Sequence, residues 1–239
     1  MFQNSSPNNL THQLVQELGK AIVSERYMID QGFPSEAELC EQYQISRTAT
    51  REAVKMLAAK GLLISRPRKG IMVQRREHWN LFDPDMLSWI LSSTPSLETL
   101  RDFLQLRMAI EPEAAALAAR NATKEDLQAI ATALEQMLQA ESGLADPLQT
   151  DIDFHVAILS ASKNPFFMQL RNFIETALRV SIRFTNYFKG VDTASYQDHQ
   201  KIYAAIAAGD SQAAREHSRQ METEALQLIE ERLTPTAKA

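Results

Sequence analysis

Two groups of residues have the type and spacing to do chemistry. Asp151 and His155 stand four apart, so on a helix their side chains share a face. With His199 they supply a carboxylate and two imidazoles, donors that helical bundles converge on a divalent metal. The same three residues could instead hydrogen-bond a polar ligand with no metal. Arg107 can grip a carboxylate with its guanidinium fork, or pair with Glu111 four residues on. The second group is basic. Arg47 and Arg51, also four apart, can reach together into a DNA major groove, where Arg bonds guanine O6 and N7. Thr48 and Thr50 open the same helix, whose N-terminal N–H groups, with the Ser46 and Thr48 hydroxyls, suit phosphate. Arg66, Arg68, Lys69, Arg75 and Arg76 cluster around Gly70, which permits a tight turn and close approach to DNA.

The elements that must position these residues follow from periodicity. Leu10, Leu14, Leu18, Ala21 and Ile22 give a helix over 9–26. Ser35 and Glu38 read as a capping box opening a short helix to about Tyr43. Ser46 caps a second helix, Arg47 to Lys60, which Gly61 ends. Leu62–Ile64 and Ile71–Val73 then flank a basic turn and read as a hairpin. Helix, tight turn, helix and basic hairpin make a winged helix-turn-helix over 9–76.

Residues 77–95 read as a linker, with Asp83-Pro84-Asp85 and Pro95 as breaks. The remainder, 96–233, reads as a helical domain for effector binding and dimerisation. Its helices fall near 97–119, 124–141, 147–162, 165–187, 194–208 and 211–232, with Pro112 kinking or breaking the first. Asn172 and Arg183 lie on the helix expected to line its pocket. The fold class is mainly α.

Composition agrees with an ordinary globular chain: 239 residues, 44% hydrophobic, 23% charged. The formal net charge of −5 hides an asymmetry. Residues 1–78 carry 11 basic and 8 acidic side chains, whereas the rest carry 14 and 22. A basic front and an acidic back suggest two jobs. No apolar run is long enough for a transmembrane helix, the polar N-terminus does not read as a secretory signal, and Cys40 is the sole cysteine. A cytoplasmic protein with no membrane partner and no disulfide is expected.

The front half resembles the DNA-binding domain of the GntR family. The resemblance rests on Phe33-Pro34-Ser35-Glu36-x-Glu38-Leu39, on Ser46-Arg47-x-x-x-Arg51-Glu52-Ala53-Val54-x-x-Leu57, and on Gly61-Leu62 and Gly70-x-x-Val73. It implies operator contacts from Arg47, Thr48, Arg51 and Gly70. Many members carry Arg where this chain has Ala37, so operator preference should differ. The back half resembles the FCD domain of the FadR subfamily, through Arg107-x-x-x-Glu111, Asp151-x-x-Phe154-His155, Asn164-Pro165 and the run from His199 to Gly209-Asp210. That resemblance implies Zn²⁺ or Ni²⁺ bound by Asp151, His155, His199 and a further His. Met221 stands at the usual place of that His, and a thioether is a poor donor for either metal. His217 lies one turn earlier and could substitute only through a shift of ~5 Å. The segment around Trp79, Asn80, Asp83, Asp85 and Trp89 resembles the galactonate-responsive repressors of that subfamily.

These readings together lead to one expectation. The chain is a homodimeric repressor on palindromic double-stranded operator DNA. A small carboxylate effector, a sugar acid bound near Arg107, Asp151, His155, His199, Asn172 and Arg183, releases it. The alternatives are a regulator for which the metal is itself the signal, and a metal-dependent hydrolase, for which no activated nucleophile or oriented general base is evident.

Overall fold

A computed structural model describes residues 7–92, 96–190 and 195–234, apart from the side chains of 7–9, 177, 180, 181, 183, 185–187 and 189. The chain divides into two compact units, Met1–Thr94 and Pro95–Ala239.

The first unit opens with α1 (Pro7–Val23), α2 (Glu36–Tyr43) and α3 (Arg47–Ala59). Both halves of the capping box form at α2: the Ser35 hydroxyl accepts from Glu38 N–H, and the Glu38 carboxylate accepts from Ser35 N–H. Gln44 adopts a left-handed conformation between α2 and α3, which makes the turn tight. The Ser46 hydroxyl then accepts from Ala49 N–H, so α3 starts where the sequence places it. Leu14, Leu18, Ile22, Leu39, Ala53, Leu57 and Leu62 fill the core between the helices. Full burial of each large side chain contributes about 1.5–3 kcal/mol.

Strands β1 (Leu63–Arg66) and β2 (Gly70–Val73) pair antiparallel, from Leu63↔Val73 to Arg66↔Gly70. Gly70 at the turn has φ +73, a conformation that favours glycine. Asp30, Gln31 and Phe33 add backbone hydrogen bonds to Val73 and Ile71, so a third segment steadies the wing.

The stretch expected to be a linker behaves differently. It carries a 3₁₀ turn (Arg76–His78) and α4 (Pro84–Ser92), and Trp79, Met86 and Trp89 are buried in the core of the first unit. Trp89 Nε1 donates to Gln16 Oε1 (2.6 Å), Gln16 Nε2 donates to Asp85 Oδ1 (3.0 Å), and Lys60 Nζ bridges Asp83 and Asp85 (2.7 and 2.8 Å). A Cβ at Gly19 would fall on the Trp89 ring, so α1 needs glycine there. The Pro and Asp residues that read as breaks cap a helix; the two tryptophans supply the apolar area that holds it.

The second unit is all helix among its described residues: α5 (Leu97–Asn121), α6 (Lys124–Glu141), α7 (Pro147–Ala161), α8 (Pro165–Gln169), α9 (Arg171–Lys189), α10 (Tyr196–Ala207) and α11 (Ser211–Leu233). Ser96, Thr123, Asp146, Asn164, Ser195 and Asp210 each cap the helix that follows. Helix α5 packs against α11, with Leu100 and Leu104 meeting Leu226 and Ile229. Two expectations need correction. Helix α5 runs through Pro112 without ending: Pro112 removes one backbone donor, but the flanking Glu111, Ala114, Ala115 and Ala116 are buried and hold the turn in place. The single helix expected over 165–187 is two, divided at Leu170.

Candidate functional site

The basic group gathers at one end of the first unit. Arg47, Thr48 and Arg51 are exposed on the first turns of α3, and Arg66, Arg68, Lys69 and Gly70 are exposed on the wing. Arg47, Lys69 and Gly70 line one hollow together with Glu36, Ala37 and Glu38 of α2. The start of α3 and the tip of the wing are therefore neighbours on one surface, the two elements that a winged helix-turn-helix brings to DNA. Arg68 sits at the tip with φ +63, a left-handed conformation uncommon outside glycine, asparagine and aspartate.

Three sequence expectations change here. Thr50 is fully buried; its hydroxyl donates to Ser46 O (3.2 Å) and lies 3.2 Å from Cys40 Sγ, so it faces the interior and not DNA. Its place one turn after Ser46, beside Ala49 and Ala53, puts it on the inner face of α3. The Ser46 hydroxyl is engaged as the α3 cap. Arg75 and Arg76 pair with Asp30 (2.9 Å) and Glu25 (2.7 Å), which reduces what they offer a phosphate.

The second group forms a buried polar cluster within the second unit. Helix α7 presents Asp151 and His155 on one face, and α10 presents His199 against them. Asp151 Oδ1 lies 3.2 Å from His155 Nε2 and 3.1 Å from His199 Nε2. The far nitrogen of each ring is anchored: His199 Nδ1–H donates to Ser195 O (2.8 Å), and His155 Nδ1–H donates to Glu111 Oε2 (2.7 Å). A carbonyl can only accept, so the neutral His199 carries its proton on Nδ1 and turns the Nε2 lone pair toward Asp151. His155, with its Nδ1 on a carboxylate, is oriented the same way. Outer acceptors that fix the tautomer and aim Nε2 inward are how proteins prepare imidazoles for a metal. Without a cation, both Asp151 contacts require a second proton on each ring. The donor set of Asp151, His155 and His199 therefore fits a divalent ion.

Arg107 does not stand free in this cluster. Its Nε donates to Glu111 Oε1 (2.6 Å), and one terminal nitrogen donates to Glu111 Oε2 (3.2 Å) and to Glu222 Oε1 (2.7 Å). The helical pairing of Arg107 with Glu111 is thus present, but buried: both side chains are 5% exposed. Burial opposes the charge on Arg107, and Glu111 and Glu222 outweigh it, raising its pKa. Burial likewise opposes ionisation of Glu111 and Asp151, but Arg107 and His155 hold Glu111 low, and His155 and His199 hold Asp151 low. For His155, burial is outweighed by the charge of Glu111 and the bond to Asp151, and its pKa rises to about 10. Glu222 moves the other way, raised by burial beyond what Arg107 offsets.

Glu222 is the member that sequence reasoning missed. It lies on the buried stripe of α11 formed by Ala214, Ser218, Glu222, Leu226 and Ile229. An acidic residue in register with that stripe was the available signal. Met221, the place of the family's histidine, lies one residue, or ~100° of helix, away. Met221 and His217 are half-buried, and neither belongs to the groups of converging ligand atoms. Asn172 is exposed on α9 and does not join the cluster. The side chain of Arg183 lies outside the described residues.

Comparison with known proteins agrees with both groups. Residues 10–73 match the gntR family of bacterial regulatory proteins, and residues 102–224 match the FCD domain. The chain is 32% identical over 211 residues to the galactonate operon transcriptional repressor of Escherichia coli (strain K12), covering 87% of this chain and 91% of that protein. It is 32% identical over 217 residues to YieP, an uncharacterized HTH-type transcriptional regulator of the same strain, covering 89% and 92%. It is 30% identical over 183 residues to the HTH-type transcriptional regulator LutR of Bacillus subtilis (strain 168), covering 74% and 81%. Among solved structures, Lar, which controls expression of the agr system of Listeria monocytogenes, has a TM-score of 0.53 at 17% identity over 96% of this chain and 99% of that one. That last likeness concerns the fold alone. The relatives found by sequence are transcriptional regulators, not enzymes. With a winged helix-turn-helix in front and an FCD helical unit behind, the chain belongs to the GntR family and is a transcriptional regulator.

Proposed function

We propose that this regulator is a repressor that binds a palindromic operator as a homodimer in the cytoplasm, and that a small carboxylate effector releases it. The effector class is a sugar acid, as the 32% identity to the galactonate operon repressor supports. A divalent metal, Zn²⁺ or Ni²⁺, belongs at Asp151, His155 and His199. One observation carries that part: both Nε2 atoms face the same Asp151 oxygen while both Nδ1 atoms are tied to outer acceptors. Charge supports it too. A divalent ion and Arg107 together offset the carboxylates of Glu111, Asp151 and Glu222 with both imidazoles neutral. When bound, the metal supplies a Lewis-acidic point for an anionic ligand. His155 and His199 would hold it, Glu111 and Ser195 anchor the rings, and Phe154, Ile158 and Ile202 surround them with apolar side chains.

On the DNA side, Arg47 and Arg51 read the major groove. Thr48 and the α3 N-terminus take phosphate, and Arg66, Arg68, Lys69 and Gly70 contact the adjoining groove or backbone. Release requires the effector to bind the DNA-free state more tightly.

The test is thermal unfolding of chelator-treated protein with Zn²⁺, Ni²⁺, galactonate and their combinations, alongside a gel-shift on a palindromic operator. Stabilisation by galactonate that requires metal, with loss of the shifted band, is the expected result. If chelation abolishes DNA binding with no organic ligand present, the metal is the signal instead. If galactonate changes neither melting nor DNA binding, that effector is excluded.

A further inference from the structure

We propose that Glu222 is a built-in competitor for the effector's carboxylate, occupying Arg107 until an incoming anion exchanges with it. The inference rests on the carboxylate-effector reading above and goes beyond it by naming the group that must yield.

Arg107 is the cluster's permanent cation, and the residue best shaped to hold a carboxylate. Its donors hold both Glu111 and Glu222. The two carboxylates differ in how they are supported. Glu111 lies on the same helix as Arg107 and is held at both oxygens, by Arg107 Nε and by His155 Nδ1. Glu222 reaches Arg107 from α11 through Oε1 alone, 115 residues away in sequence. Its other oxygen, Oε2, is buried with no hydrogen-bond partner. An unsatisfied buried oxygen is costly, so Glu222 is the less firmly held of the two. It is 1% exposed, and nothing in apolar packing requires a carboxylate there.

Charge points the same way. In the metal-loaded site the ion and Arg107 balance Glu111, Asp151 and Glu222, so a fourth carboxylate would add an uncompensated negative charge to a buried site. Loss of Glu222 from Arg107 removes that excess and frees the donor that the effector needs. Glu222 thus excludes anions that bind weakly and sets the concentration at which a carboxylate is admitted.

The experiment is calorimetric titration of the full-length, metal-loaded protein with galactonate and with galactitol, which has the hydroxyls but no carboxylate. Glu222→Gln keeps the shape and removes the charge; Glu222→Ala removes the competitor altogether. Both should bind galactonate at least tenfold more tightly than the unaltered protein, with galactitol unchanged, and adding Arg107→Met to Glu222→Gln should abolish the gain. Melting curves establish that each variant is folded. Galactonate bound by the unaltered protein but no tighter by either folded Glu222 variant overturns the exchange and leaves the sugar-acid reading standing. Equal tightening for galactitol also overturns it, because charge would then not be what Glu222 contests. Failure of all proteins to bind galactonate overturns the sugar-acid reading and the exchange together.

Discussion

At the scale of single residues, the buried cluster makes stability depend on protons. His155 has a folded pKa of about 10 against an ordinary 6.5. A group raised on folding stabilises fully below its unfolded pKa and loses that contribution as pH rises through the folded one. Glu222, also raised, has the same sign. Glu111 and Asp151, held low, act oppositely and lose their contribution in acid. We expect chelator-treated protein to lose stability, on the order of 3 kcal/mol, between pH 7 and 10. Saturating Zn²⁺ should flatten the decline, because a neutral imidazole is the form that coordinates. Urea unfolding at each pH measures both arms; a flat profile without metal would sink the account. Arg107→Met should be worse than loss of a surface pair. It strands Glu111 and Glu222 as buried carboxylates without their cation, at a cost of about 3–5 kcal/mol. A change under 1 kcal/mol in the same assay would mean the network relaxes into solvent.

At the scale of elements, α4 is the informative case. Its Trp89 lies against Gly19 of α1, and its Asp85 pairs with Lys60 at the end of α3. Gly19→Ala should improve helix propensity by about 1 kcal/mol yet destabilise the first unit by about 1–3 kcal/mol, because the new methyl meets the indole. Trp89→Leu in the same chain should recover part of that loss, a coupling that a double-mutant cycle in urea would read. Additive effects would show that the two positions do not touch. Lys60 has its own direction: burial lowers its pKa, and the bonds to Asp83 and Asp85 overcome this and raise it. That pair is a tether between α3 and α4, and a recognition helix tied to α4 is a means of moving one with the other.

At the scale of the whole molecule, the charge asymmetry separates the two tasks. A basic front meets phosphate, while an acidic back is kept from doing so. If two copies share one palindromic operator, each substitution is counted twice. Lys69→Ala should therefore lower the slope of log affinity against log salt by ~2, where a monomer would show ~1. Arg47→Ala should weaken the cognate operator by about 1–3 kcal/mol for each half-site and relax its sequence preference. Fluorescence anisotropy across a salt series would give both numbers, and an unchanged slope for Lys69→Ala would remove the wing from the interface.

Much of this was legible in the sequence, because the signals are local. Capping residues, helical periods, the turn at Gly70 and the i, i+4 spacing of Asp151 and His155 all act over a few residues. They determine the element order, the winged helix-turn-helix and the convergent face of α7. What the tertiary structure alone decided involves partners far apart in the chain. Thr50 turned inward because α2 packs against α3; Trp79, Met86 and Trp89 joined the core of the first unit because α4 packs on α1. Glu222 met Arg107 because α11 lies along α5. Local spacing says which side chains share a face, but burial and charge pairing depend on which other face arrives to cover it.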